Sequence, residues 1–311
     1  MTKSLPEVTA VTEPVWLGEG PHWSHDHQAL FFVSIFDKTI HKYDPATGEH
    51  TRAKLGNNYA HAMPGFIIPV EGTLDQFVVG LKRRVVVVRW DGRGEAQELR
   101  QIAEIDQHNP DNRINDAKAD PRGRLFVGTM GHEYEPGKFH LKKGALYRVD
   151  PDGSVHQLEK NLDISNGLCW DVKEKAFYYA DSFEFAIRRY DYDIETGNIS
   201  NPKLVFKYKD HGLEGIVDGM TIDSDGNLWV ANFDGSQVLK IDPHKGALLQ
   251  KVRTPALQTT SVAWGGPSLD QLYVTSACMN RGQEQLPPCG ALFRVSGLRA
   301  RGLPASGVRV Q

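Results

Sequence analysis

The chain has 311 residues, of which 40% are hydrophobic and 24% are charged, and its formal net charge is -3. This composition excludes a disordered chain, and the small net charge gives no electrostatic basis for binding nucleic acid or an anionic membrane. The length suits one large all-β domain or two ordinary ones, and no apolar run is long enough to span a bilayer.

A unit of three to four short strands, joined by Asp/Gly turns, recurs six times with a period of about 45–50 residues. In chain order, the six copies begin at Gly20, Gly65, Asn115, Asn166, Asp218 and Thr260. No segment between the copies has a sustained helical period with caps, which disfavours a βαβ architecture. The sequence therefore predicts an all-β fold, a six-bladed β-propeller, that occupies residues 1–311 as a single domain.

Three connecting regions have particular roles in this prediction. Residues 7–11 are expected to complete the last blade and close the ring, because the edges of sheets must be covered. Two connections, 98–113 and 131–144, are unusually long for a compact domain. Such loops are often lids or binding loops, and they also occur as plain surface insertions, so the sequence leaves both alternatives open.

The three cysteines, Cys169, Cys278 and Cys289, are too few and too widely spaced for a disulfide framework or a Cys-x-x-Cys site. We expect buried, reduced thiols. The N-terminal residues lack the apolar core of a secretory signal, and together these features predict a cytoplasmic location.

The familiar catalytic signatures are missing: the chain has no Gly-x-Ser-x-Gly, no His-Glu-x-x-His, no phosphate loop and no dinucleotide fingerprint. The segment Asp223-x-Asp225-Gly226 superficially resembles an EF-hand loop. That loop needs its glycine at the sixth position, whereas here the glycine comes fourth, so the segment is predicted to be a hairpin turn.

Polar residues stand at the same place in successive copies, just ahead of the first strand: Glu19, Asn115, Asp116, Asn166 and Asp218. The innermost strand of each blade borders the central channel, so residues at equivalent offsets should converge at one end of the axis. Carboxylate and amide oxygens suit Ca²⁺, Mg²⁺ or Mn²⁺ better than a thiolate-bound metal. Asn-Gly and Asp-Gly also start turns. Glu is no turn former, however, and Glu19, Asn166 and Asp218 taken together favour a metal site.

Several sequence segments resemble those of the senescence marker protein/regucalcin/gluconolactonase family, including its luciferin-regenerating enzyme branch. They are residues 18–23, 113–123, 164–167, 177–182, 218–223 and 265–267. The likeness spans nearly the whole chain and implies a six-bladed propeller with one divalent cation in its channel. In the family a Glu, an Asn and an Asp hold this cation, and they correspond to Glu19, Asn166 and Asp218. Ca²⁺ is the first expectation, with Zn²⁺, Mn²⁺ or Mg²⁺ as alternatives.

The same resemblance implies substrate contacts at Arg113 and Asn115 and at Glu133, although the loop after Glu133 diverges. It also implies hydrolysis of a sugar lactone. The cation would polarise the lactone carbonyl, and Asp218 would act as the general base on water. We therefore predict a gluconolactonase-like hydrolase whose partner is a small-molecule sugar lactone, with no nucleic acid and no membrane involved.

Two other functions stay open on the sequence. One is a regucalcin-like calcium-binding or scaffold propeller without turnover. The other is an enzyme for luciferin-type heterocycles or organophosphates.

Overall fold

The computed structural model describes residues 5–55, 63–280, 282 and 284–311. These residues form six four-stranded antiparallel sheets and one small two-stranded hairpin. The single-domain prediction also covers residues 1–4, 56–62, 281 and 283, which lie outside the described part of the chain.

The first three blades follow one another along the chain. Blade 1 contains β2 (Gly18–Ser24), β3 (Ala29–Ser34), β4 (Thr39–Asp44) and β5 (Glu49–Lys54). Blade 2 contains β6 (Pro64–Pro69), β7 (Gln76–Leu81), β8 (Arg84–Arg89) and β9 (Gln97–Glu104). Blade 3 contains β10 (Arg113–Ala119), β11 (Leu125–Met130), β14 (Gly144–Val149) and β15 (Val155–Leu162), and the hairpin β12 (Glu133–Glu135) and β13 (Lys138–Phe139) is inserted in it.

The last three blades repeat the arrangement. Blade 4 contains β16 (Ser165–Asp171), β17 (Ala176–Asp181), β18 (Ala186–Tyr192) and β19 (Ile199–Lys207). Blade 5 contains β20 (Ile216–Ile222), β21 (Leu228–Phe233), β22 (Gln237–Asp242) and β23 (Ala247–Arg253). Blade 6 contains β24 (Gln258–Gly265), β25 (Gln271–Ala277), β26 (Phe293–Ser296) and the N-terminal strand β1 (Glu7–Ala10). Two short 3₁₀ helices cover Ser182–Glu184 and Tyr208–His211.

The first strands of the six blades contact one another in a closed circle, in the order β2, β6, β10, β16, β20, β24 and back to β2. The prediction of a six-bladed propeller is therefore confirmed. Aromatic side chains pack between neighbouring blades, and the ring centroids of Phe126 and Trp170 lie 5.1 Å apart. Those of Trp229 and Trp264 lie 5.2 Å apart. The core thus lies between the sheets, which holds the channel-lining strands at fixed positions.

Strand β1 closes the ring, as expected from the sequence. It pairs antiparallel with β26, with Val8 opposite Val295, so that the last blade is built from both ends of the chain. The side chain of Val8 packs against the apolar core that blades 5 and 6 share.

The prediction for the first long connection was wrong in part. Residues 97–104 form β9, the outermost strand of blade 2, rather than a loop. Five of its eight residues are polar and none of these is buried, so the strand lacks the apolar alternation that marks a half-buried strand. The second long connection, 131–144, contains the hairpin β12–β13.

Two local predictions agree with the structure. The three cysteines are free, and two of them are buried. Asp223 organises a turn: its carboxylate accepts hydrogen bonds from the backbone N–H groups of Asp225 and Asn227 and from the indole N–H of Trp229 at 2.9 Å. None of the helices among the described residues is long and apolar enough to cross a membrane.

The closure of the ring gives a first testable prediction. Val8→Asp should lower the free energy of unfolding by about 1–3 kcal/mol, because it places a charge where a methyl-bearing side chain meets the shared core. Ala10→Asp is the matched control, since Ala10 is exposed on the same strand. Denaturant unfolding measures both variants, and equal stability of the two would contradict the closing role of β1.

A buried histidine gives a second prediction. Burial, aided by His50 and Arg52, lowers the pKa of His41 to about 3. Its ring makes hydrogen bonds to Thr39 Oγ1 at 2.7 Å and to His50 Nε2 at 2.9 Å. An unfolded His takes up a proton near pH 6.5, and the folded ring does so only near pH 3. The stabilisation that His41 gives is therefore complete above pH 6.5 and is lost as the pH falls towards 3, by about 1.4 kcal/mol per pH unit.

Between pH 6.5 and pH 5, the free energy of unfolding should therefore fall by about 2 kcal/mol less in His41→Gln than in the wild type. Urea titrations at several pH values measure this slope. His25→Gln, at an exposed turn, is the control variant. An unchanged slope in His41→Gln would count against the assignment.

Candidate active site

Each of the six innermost strands carries an irregularity near its start. The register against the neighbouring strand shifts in every blade, next to Glu19, Gly65, Asn115, Gly167, Asp218 and Thr260. Such β-bulges re-aim side chains and bend the strand. The polar residues that the sequence placed just ahead of the strands in fact lie inside them, at or beside these bulges, which corrects that prediction.

Glycine follows each of the three expected metal ligands, as Gly20, Gly167 and Gly219. A Cβ atom on Gly167 would lie 2.6 Å from the backbone carbonyl oxygen of Asp218, and one on Gly219 would overlap the Ser261 side chain. These glycines are needed because neighbouring innermost strands approach each other closely. They do not start turns, as Asn-Gly and Asp-Gly often do.

One cavity at this end of the channel brings most of the expected site residues together. Its lining includes Glu19, Asn166 and Asp218, with Arg113 and Asn115 beside them. Water can occupy about 70 Å³ of the cavity, within an empty space of about 490 Å³ that includes its open mouth, so an ion and a small bound molecule have room there. Glu133 stands apart: it lies on β12, outside this lining, although its charge acts on the guanidinium of Arg113.

Charges in the site are buried and close to one another. Burial raises the pKa of Glu19 well above its usual range, and the nearby carboxylates of Asp218 and Asp116 raise it further. Burial lowers the pKa of Arg113. The carboxylates of Glu133, Glu19 and Asp218 offset part of this shift by raising the pKa. The site therefore concentrates negative charge where water cannot screen it, and a bound cation would relieve that repulsion.

The amide of Asn166 is held in a defined orientation. Its Nδ2 donates to Ser182 Oγ at 3.1 Å, and its Oδ1 accepts from the backbone N–H of Gly167 at 3.2 Å. A carbonyl oxygen has two acceptor positions, so Oδ1 can serve a cation as well. Sequence reasoning missed Ser182, which also lines the cavity. The sequence could have indicated Ser182, because it ends segment 177–182, one of the segments that resemble the family.

The donor set fits a divalent cation. Two carboxylates and one amide supply oxygen only, which suits Ca²⁺, Mg²⁺ or Mn²⁺ better than Zn²⁺, which usually takes nitrogen or sulfur ligands as well. Within the described ranges, no three His, Cys, Asp or Glu side chains are grouped as a metal cluster. The candidate centre therefore depends on the Asn amide as its third protein ligand.

The expected substrate-binding side chains already make hydrogen bonds within the protein. Arg113 Nη1 donates to the carbonyl oxygen of Ile114 and to Asn115 Oδ1, both at 3.0 Å. Asn115 Nδ2 donates to the carbonyl oxygen of Ser165 at 3.1 Å. Glu133 Oε1 accepts from the backbone N–H of Gly137 at 2.7 Å, across the hairpin turn.

The opposite end of the channel is different in character. Later residues of the same innermost strands, among them His22, Lys118 and Cys169, line a second cavity of about 200 Å³. Lys118 Nζ donates to the carbonyl oxygen of Met220 at 2.7 Å. Asp116 lies between the two ends, because its charge acts on both Glu19 and Lys118. Asn115 and Asp116, which the sequence grouped together, therefore have different surroundings.

Comparisons with known proteins agree with this architecture. The family model described as "SMP-30/Gluconolactonase/LRE-like region" matches residues 17–278. The chain is 36% identical to regucalcin of Gallus gallus over 291 residues. This aligned region covers 93% of each chain. The structure of luciferin-regenerating enzyme is similar, with a TM-score of 0.91, 38% identity and coverage of 98% of this chain and 100% of that chain. The calcium-binding protein regucalcin from Agrobacterium tumefaciens shares the fold, with a TM-score of 0.84, 24% identity and 97% coverage of both chains.

The geometry predicts a metal-binding response. Ca²⁺ or Mn²⁺ should raise the melting temperature of the wild type by mass action, and EDTA should reverse the rise. Glu19→Gln should weaken the metal affinity at least about tenfold, because it removes one of two carboxylate ligands. Without metal the variant should unfold at the same or a higher temperature, because a buried repulsion is gone.

Isothermal titration calorimetry gives the affinities for this test. Asp225→Asn, an exposed carboxylate in blade 5, is the matched control and should bind as the wild type does. Equal metal affinity in Glu19→Gln and the control would rule Glu19 out as a ligand.

Proposed function

The chain belongs to the SMP-30/gluconolactonase/LRE-like family, and from that premise we propose that it is a metal-dependent lactone hydrolase. One observation supports the proposal most directly. Three buried oxygen donors from three separate blades, Glu19, Asn166 and Asp218, meet in one cavity beside the partly buried guanidinium of Arg113. The oxygen of an ester carbonyl becomes negative during hydrolysis. A cation held by these donors, together with the Arg113 guanidinium, would supply the positive charge that stabilises it.

Glu19, Asn166 and Asp218 would hold the divalent cation, with Ca²⁺ as the first expectation. When bound, such an ion supplies Lewis-acid stabilisation of the charge that develops on the carbonyl oxygen of the lactone. Ca²⁺ lowers the pKa of bound water less than Zn²⁺ does, so a protein carboxylate is needed to activate the water.

Asp218 is our candidate for that general base. Its carboxylate takes a proton from the attacking water, whose oxygen forms a bond to the carbonyl carbon. The ring C–O bond then breaks, the proton passes to the departing oxygen, and the product is an open-chain hydroxy acid. The hydroxyl of Tyr208 does not compete as a base, since burial and the charge of Asp218 raise its pKa above the usual range.

Arg113 and Asn115 would orient the substrate. The guanidinium of Arg113 is a donor beside the carboxylates, and its bond to Asn115 Oδ1 holds the two side chains together. Such a pair can donate to the ring oxygen or to the carboxylate of the product. The sugar-lactone substrate class and the cytoplasmic location stay predictions from the sequence.

A second candidate function is a calcium-binding protein without turnover. This alternative is favoured by a relative of 36% identity that is named regucalcin. The aligned region covers 93% of each chain. Cation binding in the absence of hydrolysis across a panel of lactones would select this alternative.

The hydrolase proposal predicts the activity of two variants. At saturating metal, Asp218→Asn should reduce kcat/KM for lactone hydrolysis at least about 100-fold, because it removes the base. Glu19→Gln should also reduce it, through its effect on the cation. A pH-stat assay with glucono-δ-lactone and simple lactones, using Ca²⁺, Mn²⁺, Mg²⁺ and Zn²⁺ in turn, measures these rates. Asp225→Asn serves again as the control, and full activity of Asp218→Asn or Glu19→Gln would overturn the assignment.

A further inference from the structure

Apolar side chains in two groups line the candidate metal cavity together with the oxygen donors. The first group, here called the hairpin wall, consists of Met130, Phe139, Ile164 and Phe183. Its members come from blades 3 and 4 and from the hairpin β12–β13. The rings of Phe139 and Phe183 meet edge to face with their centroids 5.9 Å apart. The wall is therefore a packed surface rather than a set of isolated side chains.

The second group, here called the core wall, consists of Leu17, Ile216, Phe233 and Met279. Leu17, Phe233 and Met279 belong to one apolar cluster, and Ile216 packs against it. These residues come from or adjoin blades 1, 5 and 6. The core wall and the hairpin wall are thus contributed by different blades around one cavity, and the oxygen donors, on the innermost strands, belong to the same lining.

Among the described residues, three polar side chains join the expected metal ligands in the lining of the cavity. Arg113, Asn115 and Ser182 line the cavity, and each makes a hydrogen bond to another protein group. Glu133 accepts from its own hairpin turn. A polyhydroxylated lactone brings several hydroxyls, and each one buried without a partner weakens binding by roughly tenfold. The side chains of the two walls carry no nitrogen or oxygen atom, so a hydroxyl placed against them would lose its hydrogen bonds to water.

We propose that the preferred substrate is a lactone that carries an apolar alkyl or aryl arm. The arm lies between the hairpin wall and the core wall, and the ester carbonyl lies at Glu19, Asn166 and Asp218. Selectivity then comes from burial of the arm, since each buried methylene contributes to affinity. This inference rests on the proposed hydrolase function and narrows its substrate class.

The test compares three substrates of the same ring size: glucono-δ-lactone, unsubstituted δ-valerolactone and a δ-lactone with a five-carbon alkyl chain. With the metal that binds most tightly, kcat/KM should be highest for the alkyl lactone, by at least about tenfold over δ-valerolactone. Phe183→Ser should remove most of that preference, because the alkyl arm loses the ring against which it packs. Phe139→Ser should act in the same direction.

Two features keep the test decisive. Phe183 is only partly buried, so its replacement should leave the fold intact, and thermal unfolding checks this for both variants. Tyr134→Ser is the matched control, since Tyr134 is an exposed aromatic residue on the same hairpin and does not line the cavity. It should keep the wild-type substrate preference.

The outcomes distinguish a wrong substrate preference from a wrong hydrolase function. Hydrolysis that favours glucono-δ-lactone, or an alkyl preference that Phe183→Ser leaves unchanged, overturns the inference while the hydrolase function stands. Absence of metal-dependent hydrolysis for all three lactones overturns the proposed function, and the inference with it.

Discussion

The close approach of six innermost strands around one axis is the constraint on which the rest of the structure depends. It requires glycine at Gly167 and Gly219, where a side chain would meet the backbone of Asp218 or the side chain of Ser261. It also places a β-bulge near the start of every innermost strand, and in blades 1, 4 and 5 a residue at that bulge supplies an oxygen donor to the cavity. A set of oxygen donors arises because the blades repeat this geometry.

Burial gives those donors their chemical character. Burial raises the pKa of Glu19 well above its usual range, and repulsion from the carboxylates of Asp218 and Asp116 raises it further. Arg113 balances part of the charge at one end, and Lys118 lies beside Asp116 towards the other. Propeller closure through β1 and β26 holds these groups in place. The candidate metal site thus depends on the ring as a whole, because its expected ligands come from three different blades.

Much of the fold could be predicted from the chain, because apolar alternation and Asp/Gly turns mark the inner strands of each blade. The outermost strand β9 was missed, since both of its faces are largely polar and its position is set by pairing with β8. Of the expected site residues, five line one cavity, and Glu133 lies beyond it on a hairpin. Ser182 was overlooked because its role depends on contact with Asn166 across blade 4.

The sequence by itself determined the repeat, the number of blades and the residue types at equivalent offsets, because all three are periodic and can be read from local pattern. Only the tertiary structure decided that Glu19 and Asp218 lie inside strands at bulges, and that two apolar walls flank the oxygen donors. Bulges depend on register between strands, and the walls join residues as distant as Leu17 and Met279. Such contacts follow from closing the ring, which no local stretch of sequence encodes.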